Sequence, residues 1–185
     1  SEMTPLWVEL SDVAASWFEA WCGPAIRAVQ TNIISDLARW WPRLQALPRT
    51  LIHNDFNPRN FVLREHDGSR RLCVYDWELA THGIPQHDLA ELLCFTWHDE
   101  LDGPDLGRLL ERYRLALSSV SGRVIDSREW REGFSLALRH LLINRLPMYT
   151  MMHRFRPLDY LPRVMANWMR LYSLAEVETQ PGHSA

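Results

Sequence analysis

No lysine occurs in the 185 residues; all twenty basic side chains are arginine. The absence removes every chemistry that needs a lysine amine, from Schiff bases to P-loop phosphate binding. Glycine is sparse at eight residues, and no G-x-G-x-x-G is present. Cysteine is limited to Cys22, Cys73 and Cys94, an odd number without a C-x-x-C pair. That pattern supports neither a disulfide framework nor a zinc knuckle. Cys94 and His98 stand four apart on an expected helix, but no second pair completes a tetrahedral site, so a reduced core thiol is the expected state. An excess of positive charge is also missing. The net charge is −3 and the pI about 6.2, which argues against nucleic acid or an anionic membrane as partner. No run of apolar residues is long enough to span a bilayer, and no basic stretch followed by an apolar one opens the chain. The expected compartment is a reducing cytoplasm.

What is there is enough for one ordinary domain: 46% of residues are hydrophobic and 23% charged. Leu6, Leu10, Val13, Trp17 and Trp21 recur at helical spacing, predicting a helix that ends at Gly23-Pro24. Ile26, Val29, Ile33, Leu37, Trp40 and Leu44 predict a second helix running unbroken toward Pro48. Leu51-Ile52, Phe61–Leu63 and Leu72–Tyr75 are short apolar runs divided by turn formers, among them Asp67-Gly68, and are expected as strands. From Asp88 onward the pattern is helical. Helices are expected over Asp88–Trp97, over Pro104–Ser118, after an Asp126…Glu129 capping box, and near Leu158–Leu174, with Pro147 breaking or kinking the third of them. The fold class is therefore mainly α with a small β element around residues 50–76 (α+β), one lobe over 1–175, and a frayed tail over 176–185.

Polar residues that packing does not explain concentrate in the β element. Residues 53–60 read His-Asn-Asp-Phe-Asn-Pro-Arg-Asn, an H-x-D-x-x-x-x-N pattern between two strands. A carboxylate and a nearby amide oxygen on one short loop suit phosphoryl transfer, where one orients the attacking hydroxyl and the other helps hold magnesium. A polar hairpin connection with Asp and Asn as turn formers is the other reading. Tyr75-Asp76-Trp77-Glu78 follows the next strand and places a carboxylate at its end, which suits a second magnesium ligand or simply closes the strand. In Gly83-Ile-Pro85-Gln-His-Asp88-Leu-Ala90, elementary capping preference makes Asp88 a helix N-cap.

These three segments, in this order, resemble the aminoglycoside phosphotransferase and choline kinase superfamily, with its patterns H-[GN]-D-x-x-x-x-N, [IV]-D-[WF]-E and G-x-P-x-x-D-[LI]-A. Tyr75 departs from the usual Ile or Val. The resemblance implies the C-terminal lobe of a protein-kinase-like fold and a transfer of the γ-phosphate of ATP or GTP to a small-molecule hydroxyl with Mg²⁺. It implies Asp55 as the catalytic carboxylate and Asn60 and Asp76 as ligands of Mg²⁺ and nucleotide. It further implies His53 as a buried support and Asp88 as a brace behind the loop. Glu78 is placed near a metal-bound water or in a structural role, and Arg59 near phosphate or in solvent. Asp99, Glu100 and Asp102 are candidate carboxylates for a cationic acceptor, or a solvated loop whose Asp102 helps to start the next helix. Tyr149, Met151, Met152 and Trp168 are assigned to the acceptor pocket or to the core.

The superfamily's nucleotide-covering β segment, with its phosphate-binding lysine, has no counterpart in these residues. The expectation is of a truncated form: a catalytic lobe inactive by itself, served by a missing N-terminal lobe or a partner chain. An apolar patch beside the Asp55 loop, or self-association hiding it, should then follow, because the chain carries nine tryptophans. A solitary lobe that binds a ligand or partner without catalysis is the alternative from a different class. A metal-dependent hydrolase using His53, Asp55 and Asp76 is a third.

Overall fold

The computed structural model describes residues 2–179. Among the described residues, eight helices run in the order α1 (Thr4–Cys22), α2 (Ala25–Ser35), α3 (Leu37–Ala46), α4 (Gln86–Thr96), α5 (Gly103–Ser121), α6 (Ser127–Ile143), α7 (Arg145–Phe155) and α8 (Leu161–Thr179). Between α3 and α4 lie β1 (Thr50–Ile52), β2 (Phe61–His66), β3 (Ser69–Val74), a 3₁₀ turn over Trp77–Leu79 and β4 (Thr81–Gly83). The mainly helical architecture with a small β insertion is as the sequence predicts. No described helix is long and apolar enough to cross a membrane.

Helix α6 forms the centre. Trp130, Phe134, Leu138, Leu141, Leu142 and Ile143 are all fully buried on it, so it presents apolar side chains to neighbours on several sides. It packs on α4, α7 and α8, with α1, α2, α3 and α5 around them. Gly133 allows the start of α4 to approach: a Cβ there would meet Gln86 Nε2 at 2.5 Å. Trp168 of α8 is buried, donates its indole N–H to Leu138 O at 2.9 Å and stacks on Tyr172.

Two antiparallel pairs make up the β element. β2 and β3 form a hairpin in register Phe61↔Val74 through His66↔Ser69, closed by Asp67-Gly68. Both turn residues have positive φ, 50° and 71°, as a two-residue turn matching strand twist requires. β1 pairs with β4, Thr50↔Gly83 to Ile52↔Thr81, so the hairpin is nested between the strands of the other pair.

Several boundaries differ from the sequence expectation. The second helix divides at Asp36 into α2 and α3, and the Ile33 carbonyl accepts the Trp40 indole N–H at 2.8 Å. β4 carries no strand signal in the sequence, because Thr-His-Gly has no apolar alternation; pairing with β1 makes it a strand. The N-cap of α4 is Pro85, so Asp88 lies within the first turn and caps nothing. The reciprocal capping box sits at Asp102 and Asp105 of α5, whereas Asp126 only accepts from Glu129 N. α8 extends beyond Leu174 to Thr179, and residues 180–185 of the expected tail lie outside the described residues.

The expected break at Pro147 falls between α6 and α7, at Asn144. In a continuous helix the proline ring would strike the carbonyl four residues earlier, that of Ile143, where α6 ends. Near the end of α6, His140 meets His87 of α4. His87 Nε2 and His140 Nδ1 are 3.0 Å apart, and His140 packs against Trp7 and Trp41. Burial pushes His87 down to about 3, with His140 and Arg145 adding to it, and pushes His140 down to about 4, with Arg49 adding. The unfolded chain takes up protons from near 6.5 downward that the folded pair refuses, so stability is lost as pH falls below that value. Thermal melts from pH 7 to pH 4 should therefore show a shallower acid decline for His140→Gln than for the unsubstituted chain; equal slopes would contradict this origin.

Candidate active site

The segment 53–60 leaves β1 and enters β2, and hydrogen bonds from several of its polar side chains fix its shape. His53 is 1% exposed, and its Nε2 lies 2.8 Å from Tyr75 O, so the ring ties the loop to the end of β3. Asn54 has φ 61°, a left-handed conformation that glycine and asparagine adopt most readily. That requirement gives a physical reason for Gly or Asn at this place in the motif. Asn57 is fully buried and donates to Asp55 O, and its own oxygen accepts Arg59 N and Arg59 Nε.

Asp88 holds the loop from behind. Its Oδ2 accepts His53 N–H at 2.7 Å and its Oδ1 accepts Asn54 N–H at 2.8 Å. Burial raises the Asp88 carboxyl above its ordinary value, and the two amide donors and His53 offset only part of that rise. The carboxylate is thus spent on the two residues that precede Asp55.

The loading of Asp55 is asymmetric. Its Oδ1 receives the Tyr149 hydroxyl, Asn57 Nδ2 at 3.1 Å and the Arg145 guanidinium at 3.0 Å. Its Oδ2 receives only Asn60 Nδ2, at 2.7 Å. Burial by itself would raise the Asp55 carboxyl. The Tyr149 hydrogen bond, the Arg145 charge and contact, and the Asn60 hydrogen bond together hold it below its ordinary value. Asp55 is therefore an anion with one oxygen surrounded by donors and the other with acceptor capacity to spare.

Tyr75 N–H donates to Asn60 O at 3.0 Å next to the Phe61↔Val74 pair, so the hairpin brings Asn60 and Asp76 to one end of the ladder. The Asn60 amide nitrogen is turned to Asp55, leaving its Oδ1 with no protein donor among the described residues. Asp76 has φ 64° and is exposed, again without a partner among them. Two hard oxygen donors that bind nothing else fit a magnesium ion completed by phosphate and water. Glu78 is exposed in the 3₁₀ turn. Elsewhere, no three His, Cys, Asp or Glu side chains among the described residues converge to hold a metal, and Cys94 is a buried free thiol.

Arg59 is neither bound to an anion nor simply solvated. Its guanidinium lies 4.9–5.7 Å from the ring centres of Phe95, Tyr149 and Tyr160 and donates to Tyr160 Oη at 2.7 Å. An open cleft of about 700 Å³ adjoins it, lined also by Met152, Phe155, Arg156 and Leu158. Met151 is exposed and Trp168 belongs to the core. The acidic stretch has other engagements: Asp99 pairs with Arg170 at 3.3 Å, Asp102 caps α5, and Glu100 is exposed.

Sequence reasoning missed Glu91 and Arg145. Glu91 follows Asp88 by three residues on α4, which puts both on one helix face, and it is 2% exposed. Its Oε1 lies 2.7 Å from Tyr149 Oη. Arg145 and Tyr149, four apart, share a face of α7. The available signals were a lone acid inside the apolar Leu89–Phe95 run and an arginine two residues before the helix-breaking proline.

Replacing Asp88 with Ala should orphan two amide N–H groups and cost about 2–4 kcal/mol in denaturant unfolding, with Asp88→Asn, which keeps one acceptor oxygen, in between. An unchanged midpoint for Asp88→Ala would mean that the loop does not depend on it.

With this geometry in place, comparison with known families gives one finding: the model of a phosphotransferase enzyme family matches residues 3–131, more than half of the chain. Neither a curated protein nor a solved structure matches it.

Proposed function

The chain belongs to the phosphotransferase enzyme family, and from that premise we propose that it is the catalytic and acceptor-binding lobe of an enzyme that phosphorylates a small-molecule hydroxyl from ATP or GTP. The lobe corresponds in this reading to the C-terminal half of a kinase-like fold. The observation that carries the proposal is the asymmetric loading of Asp55. A depressed carboxyl is a weak base, so Asp55 orients the hydroxyl through Oδ2 and receives its proton late. Meanwhile the acceptor oxygen bonds to the γ-phosphorus and the bond to the leaving nucleoside diphosphate breaks. Asn60 Oδ1 and Asp76 would hold Mg²⁺, whose chemistry is to neutralise the phosphates. The acceptor occupies the cleft beside Arg59 and Tyr160. A nucleotide donor and three free thiols are consistent with a reducing cytoplasm.

The β hairpin supports a further element of the reading. Leu63 and Leu72, opposite each other in the ladder, are 64% and 50% exposed, and Trp77, in the turn that follows β3, is 48% exposed. An apolar face of this kind beside the Asp76 turn suits a covering nucleotide-binding lobe, on the same polypeptide or another chain.

In the phosphotransferase assembled with a nucleotide-binding lobe, Asp55→Asn, which keeps the shape of the side chain and an acceptor oxygen among its donors, should lower turnover by about 10²–10⁴-fold while the protein still unfolds in one cooperative transition. Full turnover in that variant would overturn the role of Asp55. Magnesium-nucleotide binding without any transfer in the unsubstituted enzyme would favour a ligand-binding module instead. Leu63→Glu combined with Leu72→Glu should raise the nucleotide KM about tenfold, and an unchanged KM would remove this face from donor binding.

A further inference from the structure

Tyr149 has one hydroxyl proton, yet its oxygen stands within hydrogen-bonding reach of two carboxyl groups, Asp55 Oδ1 and Glu91 Oε1. Ionised carboxylates only accept. If both were ionised, one contact would be oxygen against oxygen with no proton between them. Asp55 is the group with other donors, since Arg145 and Asn57 reach the same oxygen and Asn60 the other. Glu91 has none: its Oε2 is buried without a partner, and Arg145 Nε remains 3.9 Å from its Oε1. An unpaired oxygen buried in protein is far less costly on a neutral acid than on an anion.

We propose that Glu91 is a neutral carboxylic acid donating its proton to Tyr149 Oη, which fixes the Tyr149 proton on Asp55 Oδ1 and leaves Oδ2 as the oxygen that meets the acceptor. Glu91, Tyr149 and Arg145 are then positioning residues for Asp55. The chain of donors runs Glu91 to Tyr149 to Asp55, each proton used once. Arg145 supplies the positive charge that keeps Asp55, and not Glu91, ionised.

The groups facing Glu91 are Tyr149 and Arg145 from α7, Asp55 from the loop after β1, and Asp88 and Cys94 from its own helix. α6 and α8, which also pack on α4, direct His140 to His87 and Arg163 to Phe95 O. Burial pushes the Glu91 carboxyl up to about 7, Asp55 and Asp88 adding to the rise and Arg145 and Tyr149 opposing it. A folded value above the unfolded one means that the stability due to this proton is complete at acid pH and lost as pH rises through 7. Ionised Glu91 would also compete with Asp55 for the Tyr149 proton.

The inference deepens the role proposed for Asp55, and its first test needs no turnover. Infrared difference spectra between the unsubstituted protein and Glu91→Gln at pH 5.5 should show a carboxylic-acid carbonyl band that the variant lacks and that fades above pH 7. Glutamine can donate as the neutral acid does, so Glu91→Gln should keep the melting temperature at pH 5.5 and flatten its decline between pH 6 and pH 8. Absence of the acid band overturns the proposal, as does a Glu91→Gln melt several degrees lower at pH 5.5. In the complete phosphotransferase, Tyr149→Phe should reduce kcat at least tenfold with the acceptor KM unchanged, and Glu91→Gln should keep kcat while removing its fall above pH 7. An acid band in an enzyme without turnover would leave the Glu91 assignment standing and sink the catalytic reading alone.

Discussion

Everything at the site hangs on the contact between one carboxylate and two consecutive amides, Asp88 with His53 and Asn54. It joins the helical core, through the first turn of α4, to a loop that has no regular structure of its own. The amide of Asn54 is available to it because Asn54 adopts a left-handed backbone, and the same twist places Asp55 on the side of α7. One helical turn along α4, Glu91 faces the same loop through Tyr149. A single helix face thus fixes both the backbone of the loop and the side chain that gives it chemical meaning.

The second constraint is the break between α6 and α7. Pro147 forbids a continuous helix past Ile143, and the new direction taken at Asn144 brings Arg145 and Tyr149 to Asp55. Without that break the two residues would continue the face of α6, whose surroundings are apolar. A residue with no polar chemistry therefore decides how the most polar cluster in the protein is assembled. The cost of burying that cluster is limited by its balance: a cation, an anion, a phenol and, in the assignment proposed above, a neutral acid.

Much of this fold can be read from the sequence because its signals are local. Helical spacing of apolar residues, the Asp67-Gly68 turn and the helix-breaking Pro147 each act within a few residues. The loop 53–60 and Asp76 stand out for the same reason, as polar residues crowded where strands should be apolar. What the sequence conceals depends on neighbours distant along the chain. β4 is a strand only because β1 lies beside it, and α2 and α3 separate where Trp40 reaches back to Ile33. Glu91 reads as a stray acid in an apolar helix until α7 delivers Tyr149 and Arg145 to it. Asp88 resembles an N-cap by type and position, yet its acceptor oxygens are taken by amides 34 and 35 residues away.

The account rests on the inequality between the two oxygens of Asp55, and one structure would test it most directly. In a complex of the protein, assembled with the nucleotide-binding lobe proposed above, with a non-hydrolysable magnesium nucleotide and an acceptor, the acceptor hydroxyl should lie within hydrogen-bonding distance of Asp55 Oδ2, with Tyr149 and Arg145 still on Oδ1. A hydroxyl held on Oδ1, with those two residues displaced, would contradict it.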